Sequence, residues 1–119
     1  MLTLPPTVRV FVASGPVDLR KGFDSLSAIV QSSFGQDPLS GHLYVFYNRR
    51  GEQARILFFD RTGYCIVAKR LVRGTFHFPS GVATPYAEMS TAELSLILEG
   101  IDLTNARRRV RWKRDEEAA

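Results

Sequence analysis

Cysteine is almost absent: Cys65 is the single thiol in 119 residues, so no internal disulfide can staple the fold. It lies in an apolar run, which predicts a buried, inert thiol, since a reactive one needs an exposed electropositive setting. Histidine is nearly as scarce, with only His42 and His77, and two histidines with one cysteine argue against a structural zinc site. Each histidine reads as a surface or hydrogen-bonded structural residue rather than a catalyst, because the sequence shows no placed partner. Long hydrophobic runs are missing too; none approaches the roughly 20 residues that cross a bilayer. The start, Met1-Leu2-Thr3-Leu4-Pro5-Pro6, lacks the basic and apolar regions and small-residue cleavage site of a signal peptide. These absences predict a cytoplasmic protein with no membrane partner. Enzyme signatures are also lacking: no phosphate-cradling glycine loop with its Lys and Ser/Thr, no histidine pair at metal spacing and no serine in a nucleophile elbow. The expectation is a protein without cofactor, metal or catalytic residues.

What is present points to a folded domain. With 45% hydrophobic and 24% charged residues, the composition is that of a globular chain. A chain of this length buries about two thirds of its unfolded surface without metals or disulfides. The net charge of +4 and a pI near 9.6 favour acidic partners such as nucleic acid or an acidic protein surface. Six of the sixteen Lys and Arg fall between Arg107 and Arg114. The division expected is a globular domain over 1–103 and a basic, flexible tail over 104–119.

The domain is organised around three apolar runs: Leu43-Tyr44-Val45-Phe46-Tyr47, Ile56-Leu57-Phe58-Phe59 and Tyr64-Cys65-Ile66-Val67-Ala68. They hold β-branched and aromatic residues and are separated by clusters around Asn48-Arg49-Arg50-Gly51 and Asp60-Arg61-Thr62-Gly63, the pattern of strands joined by hairpins. Such short connections require antiparallel neighbours. Nearly continuous apolarity means that both faces of the middle strands are covered. Eight of the thirteen aromatic residues lie between Tyr44 and Phe78, which places the core here.

The flanking segments supply the covers. Val8 to Val12 reads as a strand. Phe23, Leu26, Ile29, Val30 and Phe34 follow the spacing of one helix face, with Asp18 or Asp24 as candidate cap and Gly35 as the stop. Phe76-His77-Phe78 alternates and predicts a short strand, and Pro85 to Met89 a brief edge pairing. Ser90-Thr91-Ala92-Glu93 has the form of a capping box for a second helix through Leu94, Ile97 and Leu98, closed by Gly100. The fold class expected is α+β: a mainly antiparallel sheet of about five strands with two helices packed on it.

Hairpin reversal also sorts charge. It brings the Arg49-Arg50 turn, Arg55 and the Lys69-Arg70-Leu71-Val72-Arg73 segment to one end of the sheet, with Asp60 and Arg61 at the other. These cations form a candidate anion site; the alternative is ordinary solvated turn charge. Arg20 and Lys21 precede the first helix and join the candidate set. In the tail, Arg107, Arg108, Arg109 and Arg111 can neutralise phosphates, and Trp112 can stack on a base or anchor in a protein groove; a merely solubilising tail is the alternative. Asp18, Asp24, Asp37 and Asp60 would serve a metal-dependent nuclease only if they converged.

The series Asp18-Leu19-Arg20-Lys21-Gly22-Phe23-Asp24, Asp37-Pro38-Leu39-Ser40-Gly41-His42-Leu43, Asn48-Arg49-Arg50, Asp60-Arg61-Thr62-Gly63, Lys69-Arg70-Leu71, Gly74-Thr75-Phe76-His77-Phe78-Pro79 and Leu98-Glu99-Gly100-Ile101-Asp102 resembles the small accessory protein, often called transposase B, of the insertion-sequence family numbered sixty-six. The resemblance runs in order from Val8 to Asp102. It implies a role in DNA transposition beside a separate, larger transposase; with the basic residues above, the function expected is a non-catalytic accessory that binds DNA, such as the element ends, that transposase, or both. A protein adaptor that touches no DNA is the alternative. Two positions depart from the family pattern: Tyr47 stands where members often have Arg, and Arg55 where Lys is common.

Overall fold

The computed structural model describes residues 7–100. The expected tail over 104–119, with Arg107, Arg108, Arg109, Arg111 and Trp112, lies outside them. Along the chain come β1 (Val10–Ala13), α1 (Phe23–Ser32), β2 (Leu43–Tyr47), β3 (Gln53–Asp60), β4 (Gly63–Arg70), β5 (Tyr86–Met89) and α2 (Thr91–Leu98). The sheet order is β4-β3-β2-β1-β5. Three neighbouring pairs are antiparallel, but β1 runs parallel to β2, with Val10 opposite Leu43 and Val12 opposite Val45. The parallel pair exists because α1 intervenes and carries the chain back to the starting end, which a hairpin cannot do.

Period-two alternation divides the core into two layers. Val10, Val12, Leu43, Val45, Ala54 and Ile56 face α2, where Leu94, Ile97 and Leu98 cover them. Phe11, Ala13, Tyr44, Phe46 and Leu57 face α1, where Leu26, Val30 and Phe34 cover them. Every residue of β1 and β2 is buried, which is why their sequences are apolar without interruption. The α1 layer is aromatic: Phe34 stacks on Phe46 with ring centroids 5.7 Å apart, and Phe11 on Tyr44 at 5.5 Å.

The helix boundaries follow local chemistry, with one correction. The expected capping box at α2 is complete: the Ser90 hydroxyl accepts from the Glu93 N–H while the Glu93 carboxylate accepts from the Ser90 N–H. α1 instead starts at Gly22 with no side-chain cap. Asp18 cannot serve, because its carboxylate is held by Arg20, and Asp24 lies inside the first turn, where its charge suits the positive end of the helix dipole. Gly35, at φ 63°, ends the helix and lets the Gln36 N–H return to the Val30 carbonyl at 3.1 Å.

Two other expectations change. Phe76 to Phe78 form no strand; Phe76 is buried against the α2 layer and Phe78 stacks on Tyr47 at 5.0 Å, so the aromatic alternation serves packing without a ladder. Cys65 is half-buried rather than buried, because β4 lies at the sheet edge. His42 is structural, as its Nδ1 accepts the Arg9 N–H at 3.0 Å and its ring meets Phe11 edge-on; His77 is exposed. Among the described residues no helix is long and apolar enough to cross a membrane.

Candidate functional site

Because β1 and β2 are parallel and the remaining pairs antiparallel, one end of the sheet collects the loop 14–22, the turn 48–52 and the segment 71–85. Backbone hydrogen bonds lock these three together. The Val17 N–H donates to the Tyr47 carbonyl at 2.8 Å, Leu71 to Glu52 at 2.8 Å, Phe76 to Gly51 at 2.7 Å and Ser14 to Pro85 at 3.0 Å. The turn itself is closed by Asn48, whose carbonyl accepts from Gly51 and whose side chain accepts from Gln53 at 3.0 Å. Gly51 is required there: its φ is 75°, and a Cβ would come within 3.3 Å of the Thr75 Cβ.

Between the 14–22 loop and the 48–52 turn opens a cleft of about 920 Å³, lined by Pro16 to Arg20, by Asn48, Arg49, Arg50, Glu52 and Gln53, and by Arg55. Strand parity decides which cations reach it. Arg55 pairs with Phe46, and Arg70 with Gln53, so both lie on the α1 side. The Arg55 guanidinium donates to the Lys21 carbonyl at 3.2 Å, tying the helix start to β3. The uncapped N-terminus of α1 opens at this end as well, and its free amides add positive potential.

The sequence-predicted cations therefore divide. Arg49 and Arg50 are exposed and make no ion pair with any described residue. Arg70 and Arg73 lie at the same end, also exposed and without an ion pair among the described residues. Lys21 is exposed beside them. Arg20 grips Asp18 at 2.9 Å, and this hydrogen bonding holds the Asp18 carboxyl at about 2, well below its usual range. Lys69 points to the opposite face: it pairs with Ala54 in the α2 layer, and its ammonium donates to the Leu98 carbonyl at 2.7 Å, capping the C-terminal end of α2. Parity along β4 carries that signal, since residues 69 and 70 of a strand cannot share a face. Tyr47 likewise faces α2, so its side chain stands apart from the cleft lining. What residue patterns did not reveal is the contribution of Pro16 to Leu19 to the cleft wall, which depends on the Val17 to Tyr47 bond between distant segments.

Among the described residues the two ends differ in charge. Eight cations, Arg20, Lys21, Arg49, Arg50, Arg55, Lys69, Arg70 and Arg73, stand at the cleft end with Asp18, Asp24, Glu52 and Glu99; the other end has Arg9 and Arg61 with Asp37, Asp60, Glu88 and Glu93. The four aspartates considered for a nuclease thus separate, Asp18 and Asp24 at one end and Asp37 and Asp60 at the other. No group of three His, Cys, Asp or Glu suited to a metal ion occurs among the described residues.

Sequence comparisons agree with this layout over most of the chain. Two proteins of Sinorhizobium fredii (strain NBRC 101917 / NGR234) are similar: uncharacterized protein y4hO, 42% identical over 102 residues that span 86% of this chain and 88% of the relative, and uncharacterized protein y4jC, 36% identical over 102 residues that span 86% of each. No solved structure matches the chain. The family model described as IS66 Orf2 like protein matches residues 8–108, which takes in both core layers and every wall of the cleft. The chain belongs to that family, and its role is an accessory one in transposition of an insertion sequence.

Proposed function

We propose that this protein is a non-catalytic transposition accessory that holds DNA by its phosphates at the basic end of the sheet, alongside the element's larger transposase. One observation carries the reading: three loops, fixed to each other by backbone hydrogen bonds, and the adjoining end of β4 present Arg49, Arg50, Arg70 and Arg73 without ion-pair partners among the described residues, beside a cleft walled by Arg55. Arginine suits phosphate because its planar fork donates two parallel hydrogen bonds. A rigid scaffold also lowers the ordering cost of binding. Phosphate contacts position a protein without reading bases, so weak sequence preference is expected from this chain alone, with the transposase supplying any specificity. Arg107, Arg108, Arg109, Arg111 and Trp112 extend the basic character beyond the described residues. Lys69 contributes mainly to the α2 terminus, and Arg20 acts with its charge largely answered by Asp18.

A salt titration of DNA affinity tests the reading. Arg49→Ala combined with Arg50→Ala lowers the log-log slope by about two. Binding that ignores salt, or no binding at low salt, overturns the DNA contact. The adaptor reading draws on Val72, 98% exposed beside Arg73, and Val82, 41% exposed on the same segment. Retention of the transposase through nuclease treatment favours that reading over DNA bridging.

A further inference from the structure

The two outer strands of the sheet are finished differently. β5 is four residues long and is flanked by the Arg9 to Glu88 ion pair at 2.7 Å. β4 runs eight residues, Gly63–Arg70, without proline, and matches β3 residue for residue, so no bulge bends it away. Among the described residues β3 is its only strand partner. The Leu71 N–H continues the ladder onto Glu52, which puts the odd-numbered residues of β4 in hydrogen bonds with β3. The N–H and C=O groups of Tyr64, Ile66, Ala68 and Arg70 therefore point outward, as a template for another strand. Side chains on both faces, Tyr64 and Ile66 on one and Cys65 and Val67 on the other, are only half-buried.

We propose that β4 pairs antiparallel with β4 of a second copy of this chain about a two-fold axis at Ile66, joining two five-stranded sheets into one. A two-fold axis normal to the sheet keeps each face on its own side, so only residues of equal parity can oppose each other. Centring on Cys65 sets Lys69 against the partner's Arg61, a like-charge clash. Centring on Val67 sets Lys69 against the partner's Cys65 and wastes apolar surface. Centring on Ile66 places Tyr64 against the partner's Ala68 and Cys65 against the partner's Val67. Large then meets small, and Lys69 and Arg70 face the uncharged Gly63 and Thr62. The outward groups of the even-numbered residues supply the exchanged hydrogen bonds. The basic ends of the two copies then point in opposite directions.

Sedimentation equilibrium of the full chain should give twice its 13.4 kDa mass. Ala68 is exposed, and its N–H points outward, so Ala68→Pro removes one bond per copy, two in all, from the new ladder, spares the β3 ladder, and should yield a folded monomer. Register is read by Val67→Cys. With the resident Cys65 it forms non-hydrogen-bonded cross-pairs whose Cα atoms are about 4.5 Å apart, within disulfide reach, and mild oxidation should give a covalent dimer. Wild type should not crosslink, since its two Cys65 are diagonal neighbours about 7–8 Å apart. A monomeric wild type overturns the proposal, and if its Ile66 and Ala68 amides resist hydrogen exchange, another segment of the same chain holds the edge. A dimer that Val67→Cys fails to crosslink overturns it as well, whatever Ala68→Pro does.

Discussion

The two ends of the sheet use their polar side chains in opposite ways. At the end away from the cleft, side chains are spent on structure: the Tyr44 hydroxyl donates to the Asp37 carbonyl at 2.9 Å and meets Ser40 at 2.8 Å, the Asp37 carboxylate accepts the Leu39 N–H at 2.9 Å, and His42 takes the Arg9 N–H. At the cleft end the loops are joined mostly backbone to backbone, which leaves Arg49, Arg50, Arg70 and Arg73 without a side-chain partner among the described residues. Backbone groups must be paired wherever they are buried, but side chains left out of that work are available to a ligand. The loop end with uncommitted cations is thus the end proposed to bind DNA.

The largest effect should come from removing equal charge at the two ends. Arg49→Ala with Arg70→Ala lowers the salt slope of DNA affinity by about two, while Arg9→Ala with Arg61→Ala leaves it unchanged. Equal losses at both ends would reduce the effect to net charge alone.

Glycine substitutions give the next contrast. Gly51→Ala meets both a positive φ and the Thr75 side chain and should cost about 1–3 kcal/mol in denaturant unfolding. Gly41, at φ 86°, has only the Phe59 carbonyl 4.0 Å from a built Cβ, so Gly41→Ala bears the backbone strain of about 1 kcal/mol alone. If the two cost the same, close approach of the 71–78 segment to the turn is not what requires glycine.

Two tyrosines of β2 sharpen the comparison further. Tyr44 has a hydroxyl with partners, whereas the buried Tyr47 hydroxyl has none among the described residues. Burial pushes both phenols above the usual tyrosine value. Tyr44→Phe should destabilise by about 1 kcal/mol and Tyr47→Phe should be neutral or stabilising by a similar amount. Loss of stability in Tyr47→Phe would mean that its hydroxyl has a partner beyond residues 7–100.

The smallest effect concerns pH. Hydrogen bonds from Arg20 depress the Asp18 carboxyl to about 2 from an ordinary 3.8. The folded value is the lower one, so the pair's stabilisation is complete above about pH 4 and is lost as pH falls towards 2. The pair is exposed, so the effect on thermal melting is slight. Asp18→Asn should flatten that part of the acid dependence. The Arg9 to Glu88 pair, which lowers the Glu88 carboxyl in the same way, supplies the matching control at the other end.

Much of this architecture was legible in the residues. Continuous apolarity marked β2 and β3 as covered on both faces, the Ser90 to Glu93 spacing marked the start of α2, and hairpin reversal brought the 48–52 turn and Arg70 to one end. The comparison is less complete where a residue's role depends on a distant segment. A local contact was also missed: the Asp18 carboxylate, a candidate cap, is held by Arg20 two residues on. The aromatics at 76–78 alternate as a strand does, yet Phe76 and Phe78 pack on the sheet instead of extending it.

By itself, then, the sequence determined both helices and all but one of the segments read as strands, which faces are apolar and which turns bear charge, because periodicity, capping and turn chemistry act within a few residues. Tertiary structure alone decided that β1 lies parallel to β2, that the Lys69 ammonium meets the Leu98 carbonyl, and that Pro16 to Leu19 wall the cleft. Those outcomes depend on contacts between segments tens of residues apart, whose free energies are set by packing and by the pairing of buried backbone groups.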